Sequence, residues 1–413
     1  MSTVSRKTEK AVLVLCAYPT RKALIEGIDA DTRLLLHWVD PRTSVHAQMR
    51  AVQKIIDSAR ARVGGVIGID DFASAMAVAL SDHMGFPSPP LLAVYQAQHK
   101  ALFAQHAAAC SPHYPPTTVI RSAADIPQKA SLYPAFVKPA AGSLSAHSFL
   151  VEAPEALRRK YEEVAPLKRP DVHWRQELYG PLMKADDPPL TCFLVQPFLR
   201  LPQYTVDGYV FKKDVHVVGV TASVFDRAGH SFERFDFPAD LEQNADAELK
   251  QVIQALITRL GYDHGCFNIE FFVTEDAHVV PIEFNTRLAF QFVPLFAARY
   301  GNNYLAEACR LALGQEPRLD PIASPRMSSS CVLRVYEDRE VVSVPDEEEL
   351  RRLTGEELAL SVRVLVRPGT RLSDYKQDAY SFRYAIVNIE YADEAEREEK
   401  IERIKDRLKF VLR

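Results

Sequence analysis

The sequence predicts an α/β chain: a small parallel sheet first, a larger strand-rich unit in the middle and an α+β tail. Three observations carry this. Apolar strand-like runs alternate with helical stretches near the N-terminus, prolines cluster at 87–90, 112–116 and 316–325, and residues 266–287 read as two apolar strands joined by a turn.

Residues 11–17 (strand), 45–62 (helix), 63–69 (strand) and 72–84 (helix) form the alternating pattern of a doubly wound sheet. Gly64, Gly65 and Gly68 lie within or at the edge of the strand, and G-x-G-x-x-G is absent, so a nicotinamide site is not expected. Arg6-Lys7 followed by an apolar run imitates a signal peptide. The run is better read as a buried parallel strand, because it is short, lacks a small-x-small cleavage site and runs into Pro19, Arg21 and Lys22.

Pro87, Pro89 and Pro90 precede a helix at 92–109, and Pro112, Pro115 and Pro116 follow it. Next come a strand at 134–138, a Gly/Ser/Ala loop at 140–148, a strand at 148–151, a helix at 154–164 and a polar connection over 166–190. A strand at 191–196, a hairpin at 204–220, a helix at 245–260, the 266–287 hairpin and a helix at 302–313 complete the middle unit. Strand-like runs at 330–336, 361–366 and 382–390 and a charged helix at 393–409 make the tail. Domain bounds of 1–95, 96–315 and 316–413 follow.

With 47% hydrophobic and 25% charged residues, 413 residues are enough for two or three cores. A net charge of −4 and a pI near 6.3 argue against a general nucleic-acid or membrane-surface binder, which needs an excess of Lys and Arg. Six cysteines without C-x-x-C spacing point to buried thiols in a reducing compartment, and no apolar run reaches the roughly 20 residues that span a bilayer. A soluble cytoplasmic protein is expected.

The chemistry concentrates in the 266–287 hairpin. Alternation puts Phe267, Ile269, Phe271 and Val273 on one face, with Val280, Ile282 and Phe284 on the same side of the second strand. Asn268, Glu270, Glu283 and Asn285 take the other face. A two-residue turn at Asp276-Ala277 sets Glu270 opposite Glu283, at a Cβ separation of about 4.5 to 5.5 Å. Two carboxylates so close call for a cation, and no lysine lies between the strands, so a metal is expected. Upstream, Lys138 ends a strand just before the small-residue loop, whose backbone N–H groups can fold over an anion. Thr191 to Leu199 runs from apolar residues into a Gln-Pro break, an apolar slot with backbone groups for a planar base.

The order of lysine strand, small loop, apolar hinge and acidic hairpin ending in Glu-x-Asn-x-Arg resembles the ATP-grasp superfamily over about residues 95–315. The hairpin is similar to that of biotin carboxylase, and the tail to that of carboxylate–amine ligases, including L-amino acid ligases. The resemblance implies an ATP-grasp architecture with an N-terminal parallel-sheet domain, a mobile lid at about 130–200 and a C-terminal α+β subdomain. It implies that Glu270, Glu283 and Asn285 hold Mg2+, or alternatively Mn2+, against ATP. Lys100, Lys138, Ser143, Ser145, Gln196, Pro197, Phe198 and Leu199 would bind the nucleotide, and Arg287 and Lys138 would be catalytic. Two positions depart from the family pattern: Ala146 replaces a glycine, and Leu201-Pro-Gln203 replaces Gly-x-Glu.

The implied reaction is ATP-dependent amide or peptide bond formation through an acyl phosphate on small-molecule carboxylate and amine substrates, an amino acid or short peptide among them. Nucleic-acid and membrane partners are not expected, and a homodimer is common in this class. The rivals are a biotin-carboxylase-like enzyme using bicarbonate, against which the short tail and missing Met-Lys-Met segment weigh, and a non-catalytic ATP-binding regulator. His147, His173 and His264 read as ordinary polar residues. Arg334 and Arg383 interrupt apolar strands and call for anionic partners, from a substrate or from a nearby Asp or Glu.

Overall fold

The computed structural model describes residues 10–18, 21–22, 25, 32–58, 62–142, 146–167, 169–227, 229, 231–322, 326–375, 377 and 380–413. Arg6, Lys7, Pro19, Ser143 and Ser145 lie outside these. Strand β1 (Ala11–Cys16) is buried at every position and pairs in parallel with β2 (Leu34–Trp38) and β3 (Val63–Gly68), as expected for a strand covered on both faces. The helix Asp71–Met84 follows, capped by Asp70, whose side chain accepts from Ala73 N at 3.0 Å. Gly68 serves packing: a Cβ there would stand 2.1 Å from the Ala73 carbonyl carbon. That close approach of helix to strand end accounts for a glycine which the sequence presents without a dinucleotide motif.

The helix expected at 92–109 is two helices, Leu91–Gln98 and Lys100–Cys110, parted at His99, whose backbone is extended (φ −87°, ψ 97°). The break places Lys100 at the start of a new helix, where its N–H donates to Ala140 O at 3.0 Å. A four-stranded antiparallel sheet follows, ordered β4-β7-β5-β6, from β4 (Thr118–Ile120), β5 (Ala135–Pro139), β6 (Phe149–Val151) and β7 (Phe193–Pro197). Its core of Val137, Phe149, Val195 and Leu157 joins the helix Pro154–Val164 to the sheet.

The largest sheet has eight strands. It is built from β8 (Gln203–Phe211), β9 (Asp214–Phe225), β10 (Phe232–Phe237), β11 (Gly265–Val273), β12 (Val279–Asn285) and β13 (Met327–Val335). Three tail strands, β14 (Glu340–Ser343), β16 (Thr370–Arg371) and β18 (Val411–Leu412), form a separate small sheet. Two others, β15 (Ser361–Val364) and β17 (Phe382–Tyr391), extend the large one, whose order is β12-β11-β8-β9-β10-β13-β17-β15. The helix Gln243–Leu260 covers the hairpin end through Leu249, Ile253 and Leu256, which pack with Phe267, Phe271 and Phe284. The charged tail helix, Glu394–Arg407, covers the other end through Ile404 against Cys331, Leu333, Val387 and Ile389. The expected helix at 302–313 is preceded by a further short one, giving Val293–Tyr300 and Tyr304–Ala312.

The hairpin's register matches the expectation for a different reason. Val273 pairs with Val279, so the turn spans 274–278, with Thr274 N donating to His278 O at 2.9 Å, rather than the two residues Asp276-Ala277. That change alone would move Glu270 off Glu283. A bulge between Glu270 and Phe271, facing Pro281 to Glu283, restores the pairing. It also shifts the alternation: Val279 packs in one core cluster with Phe284, Val280 is buried as well, and Ile282 is only half-buried. Proline, which cannot donate to a ladder, sits beside the bulge.

Candidate active site

Glu270 and Glu283 face each other across β11 and β12, and two lysines from other elements reach them. Lys100 Nζ donates to Glu283 Oε1 at 2.7 Å and to Gly142 O at 2.8 Å. Lys138 Nζ donates to Ile282 O at 3.2 Å, a carbonyl of the bulge. No lysine lies between the two strands in the sequence, yet Lys100, from a distant helix start, pairs with Glu283, and Lys138 stands close enough for its charge to act on both glutamates. Burial, then the charge of Glu283, raises the Glu270 carboxyl to about 7, with Arg287, Lys100 and Lys138 opposing. Burial lowers Lys138 to about 8, while Glu283 and Glu270 pull it back up and Lys100 pushes it further down.

Gln203 Nε2 donates to Glu270 Oε2 at 3.1 Å. The departure at this position therefore has a local use: a glutamine neutralises lone pairs of Glu270, where a glutamate would add a third carboxylate. Asn285 is tied into a buried chain, its Nδ2 donating to Asn268 Oδ1 at 3.1 Å and Asn268 Nδ2 to Asp207 Oδ2 at 2.8 Å. Ala289 N donates to the other oxygen of Asp207 at 3.1 Å. With its amide nitrogen engaged on Asn268, Asn285 keeps its carbonyl oxygen as an acceptor. Among the described residues no cluster of three or more His, Cys, Asp or Glu is assembled, so the oxygen donors here are the two glutamates and this amide.

Arg287 does not stand alone over the hairpin. Its Nε donates to Asp71 Oδ1 at 2.9 Å, at the first turn of the helix that follows β3. Burial lowers the guanidinium's pKa, but Asp71 outweighs that and holds it above its ordinary value. Thr286 Oγ1, next in sequence, accepts from Gln98 Nε2 at 3.0 Å, and Gln98 also donates to Asp71 O and accepts from Tyr179 OH at 2.8 Å. The N-terminal sheet and the hairpin are thereby pinned together around Arg287.

At the hinge, Gln196 is buried, and its Nε2 donates to Tyr114 OH at 3.1 Å and Thr117 Oγ1 at 2.8 Å. Pro197 ends β7, and Phe198 N donates to Pro134 O at 2.8 Å, so this N–H is not the free donor the sequence suggested. Leu199 N–H has no hydrogen bond within the protein among the described residues. Arg334, for which an anionic partner was expected, donates to two neutral acceptors, Ser381 Oγ and Phe232 O. Sequence reasoning missed Asp207, Asp71 and Gln98. Asp207 had a signal, since it interrupts the apolar run Tyr204 to Phe211 as Glu270 interrupts β11. Asp71 and Gln98 look like ordinary helix residues and had none.

Residues 131–294 match the family described as ATP-grasp domain. No curated protein sequence matches the chain. Among solved structures, L-amino acid ligase from Bacillus licheniformis superposes with a TM-score of 0.76 at 14% identity, covering 98% of this chain and 99% of that one. Carboxyaminoimidazole ribonucleotide synthase from Aspergillus clavatus complexed with ATP gives 0.66 at 13%, covering 97% and 98%. Biotin carboxylase from Campylobacter jejuni gives 0.61 at 15%, covering 97% and 92%. At these identities the likeness is one of fold.

Proposed function

The chain carries an ATP-grasp domain, and from that premise we propose that it is an ADP-forming carboxylate–amine ligase acting on small molecules, an amino acid or short peptide among them. The observation that carries the proposal is the meeting of two opposed carboxylates with two buried lysines, Lys100 and Lys138. A carboxylate is a poor electrophile, because its charge repels nucleophiles and oxide is a bad leaving group. Transfer of the γ-phosphoryl group of ATP to it gives an acyl phosphate and ADP. An amine then attacks the acyl carbon, phosphate leaves with the C–O bond, and the amine's proton is released.

Glu270, Glu283 and the Asn285 carbonyl oxygen fit a hard cation such as magnesium, since all are oxygen donors and the raised Glu270 marks a pair that wants positive charge. When bound, such an ion offsets charge on the transferred phosphoryl group. The chain's own residues do the rest. Lys138 and Lys100 supply positive charge beside the phosphates, and Arg287, held by Asp71, steadies the phosphoryl or acyl oxygens. Leu199 offers the hinge N–H to an adenine. Domain bounds of 1–95, 96–315 and 316–413 belong to the same reading. Among the described residues no helix is long and apolar enough to cross a membrane.

The test is a hydroxylamine trap. Purified protein with magnesium and ATP is screened against amino acids and short peptides, and hydroxamate and ADP are followed. A hydroxamate from one acid, absent in Glu283→Gln, supports the ligase. Turnover that needs bicarbonate and free biotin, or tight ATP binding with no hydroxamate from any acid, overturns it.

A further inference from the structure

Beyond the hairpin lies a second concentration of positive charge. In the tail end of the large sheet, Val362 of β15 turns into the core under the Glu394–Arg407 helix, with Cys331, Leu333 and Val387. Its neighbour Arg363 turns to the opposite face. Register sets Arg363 beside Ile386 and Ser361 beside Asn388, which in turn faces Ser330 of β13. This face is polar: Asn388 Nδ2 donates to Ser361 Oγ at 2.8 Å, and Gln291 Nε2 donates to Ser330 Oγ at 3.0 Å. Gln291 lies four residues beyond Arg287 in the chain.

Arg363 is half-buried, its Nε is buried without a hydrogen bond, and it forms no ion pair among the described residues. Burial, then the like charges of Arg21 and Arg383, press its pKa down to about 9. Arg383 comes from the adjacent β17. Arg21 comes from beyond the C-terminal end of β1, where open α/β sheets bind ligands. Its guanidinium lies 4.9 Å over the Phe290 ring and 3.9 Å from Asp70, the residue before Arg287's partner Asp71. The remaining neighbour, Cys16, cannot supply the missing negative charge, since burial pushes its thiol up to about 11. A desolvated guanidinium without a counter-charge is costly, and the economical occupant is an anion brought by a ligand.

We propose that Arg363, with Arg21 and Arg383 around it, receives an acidic group of the substrate other than the carboxylate that is activated. The location rests on the ligase reading, because the activated carboxylate must lie at the Glu270 and Lys138 end, with Arg287, Asp71, Asp70 and Arg21 between it and Arg363. The substrate is then a small molecule with at least two acidic groups, the second a carboxylate or a phosphate. Both are planar or tetrahedral oxyanions that a guanidinium fork can grip.

Calorimetric titration of the full chain with magnesium and a non-hydrolysable ATP analogue tests this, using glutamate against glutamine and O-phosphoserine against serine. The acidic member of at least one pair is expected to bind about tenfold tighter or more, and which pair responds separates carboxylate from phosphate. Arg363→Gln should erase that preference without changing nucleotide binding, and Arg363→Lys should restore part of it. Equal binding of acidic and neutral members, no binding of either acidic probe, or an unchanged preference in Arg363→Gln overturns the proposal. The two readings fail separately. Hydroxamate from glutamine and serine as readily as from their acidic counterparts would sink the pocket and leave the ligase standing. An Arg363-dependent acidic preference with no hydroxamate from any acid would do the reverse.

Discussion

Lys100 Nζ sits 2.7 Å from Glu283 Oε1, so the lysine proposed to meet the nucleotide and a carboxylate proposed to meet the metal satisfy each other. Both are mostly buried, the side chains being 9% and 26% exposed, and neither charge could be left alone cheaply. Binding of a metal-nucleotide would exchange this one ion pair for two, carboxylate to metal and lysine to phosphate.

Removing the lysine's charge should therefore pull two affinities in opposite directions. In Lys100→Met, Glu283 loses its competitor, and Mn2+ alone should bind about tenfold tighter, the scale of one ion pair lost. MgATP should bind more weakly in the same variant. Titration of Mn2+ by electron paramagnetic resonance, with and without nucleotide, reads both. Weaker Mn2+ binding would place Lys100 in a purely structural role.

Glu283→Gln keeps the size of the side chain and the apolar packing of β12, so thermal unfolding should stay close to wild type. ATP turnover should fall by at least about a hundredfold, because an ionic metal ligand becomes a neutral one. Near-native turnover at saturating magnesium would remove Glu283 from the metal site.

How far the sequence carried this picture varies by residue. Glu270 and Glu283 were legible because each interrupts an apolar strand, where a charge has no structural reason to be. Lys138 was legible from its place between strand and loop. The bonds of Lys100 to Glu283, across 183 residues, and of Arg287 to Asp71, across 216, were not. They depend on the helix break at His99 and on how the N-terminal sheet docks, which periodicity does not encode. The bulge at Ile282 was hidden too, since strict alternation fits the same letters. An incorrect turn and an unseen bulge cancelled in the register, while the bulge leaves Ile282, expected on one face with Val280 and Phe284, only half-buried.

Asp207 makes the protein's stability depend on pH in a specific direction. Burial raises its carboxyl to about 7, against donors in Asn268 and Ala289 and the charge of Arg287, which lower it. Its unfolded value is about 3.9. The folded state thus holds the proton more tightly, and the contribution is fully present below about pH 4 and lost as pH rises through 7. The loss is on the order of 4 kcal/mol. Chemical denaturation of the metal-free protein at pH 5 and pH 8 should show a larger drop in wild type than in Asp207→Asn. Equal drops in the two would mean that Asp207 folds already ionised.

A single carboxylate links the helix beside the N-terminal sheet to the chain around the four-stranded one. Glu177, on the helix Pro170–Tyr179, accepts from Ser44 Oγ at 2.6 Å, Val45 N at 2.9 Å and His46 N at 3.0 Å. It therefore caps the helix Val45–Ser58 from outside, filling orphan donors that the helix's own sequence leaves to Ser44. Burial raises its carboxyl, but the three donors outweigh this and hold it at about 2. With a depressed pKa the contribution is present above the ordinary carboxylate range and is lost only as pH falls toward 2, so the cap should survive at pH 5. Glu177→Ala should cost about 1 kcal/mol, the usual scale of a lost cap, and speed amide hydrogen exchange at Val45 and His46 roughly fivefold. Glu177→Gln, which keeps one acceptor oxygen, should fall between. Because the capping carboxylate and the capped helix belong to different parts of the chain, the same variant should also loosen exchange on the Pro170–Tyr179 helix. Faster exchange confined to Val45 and His46 would reduce Glu177 to a local cap with no part in holding the two regions together.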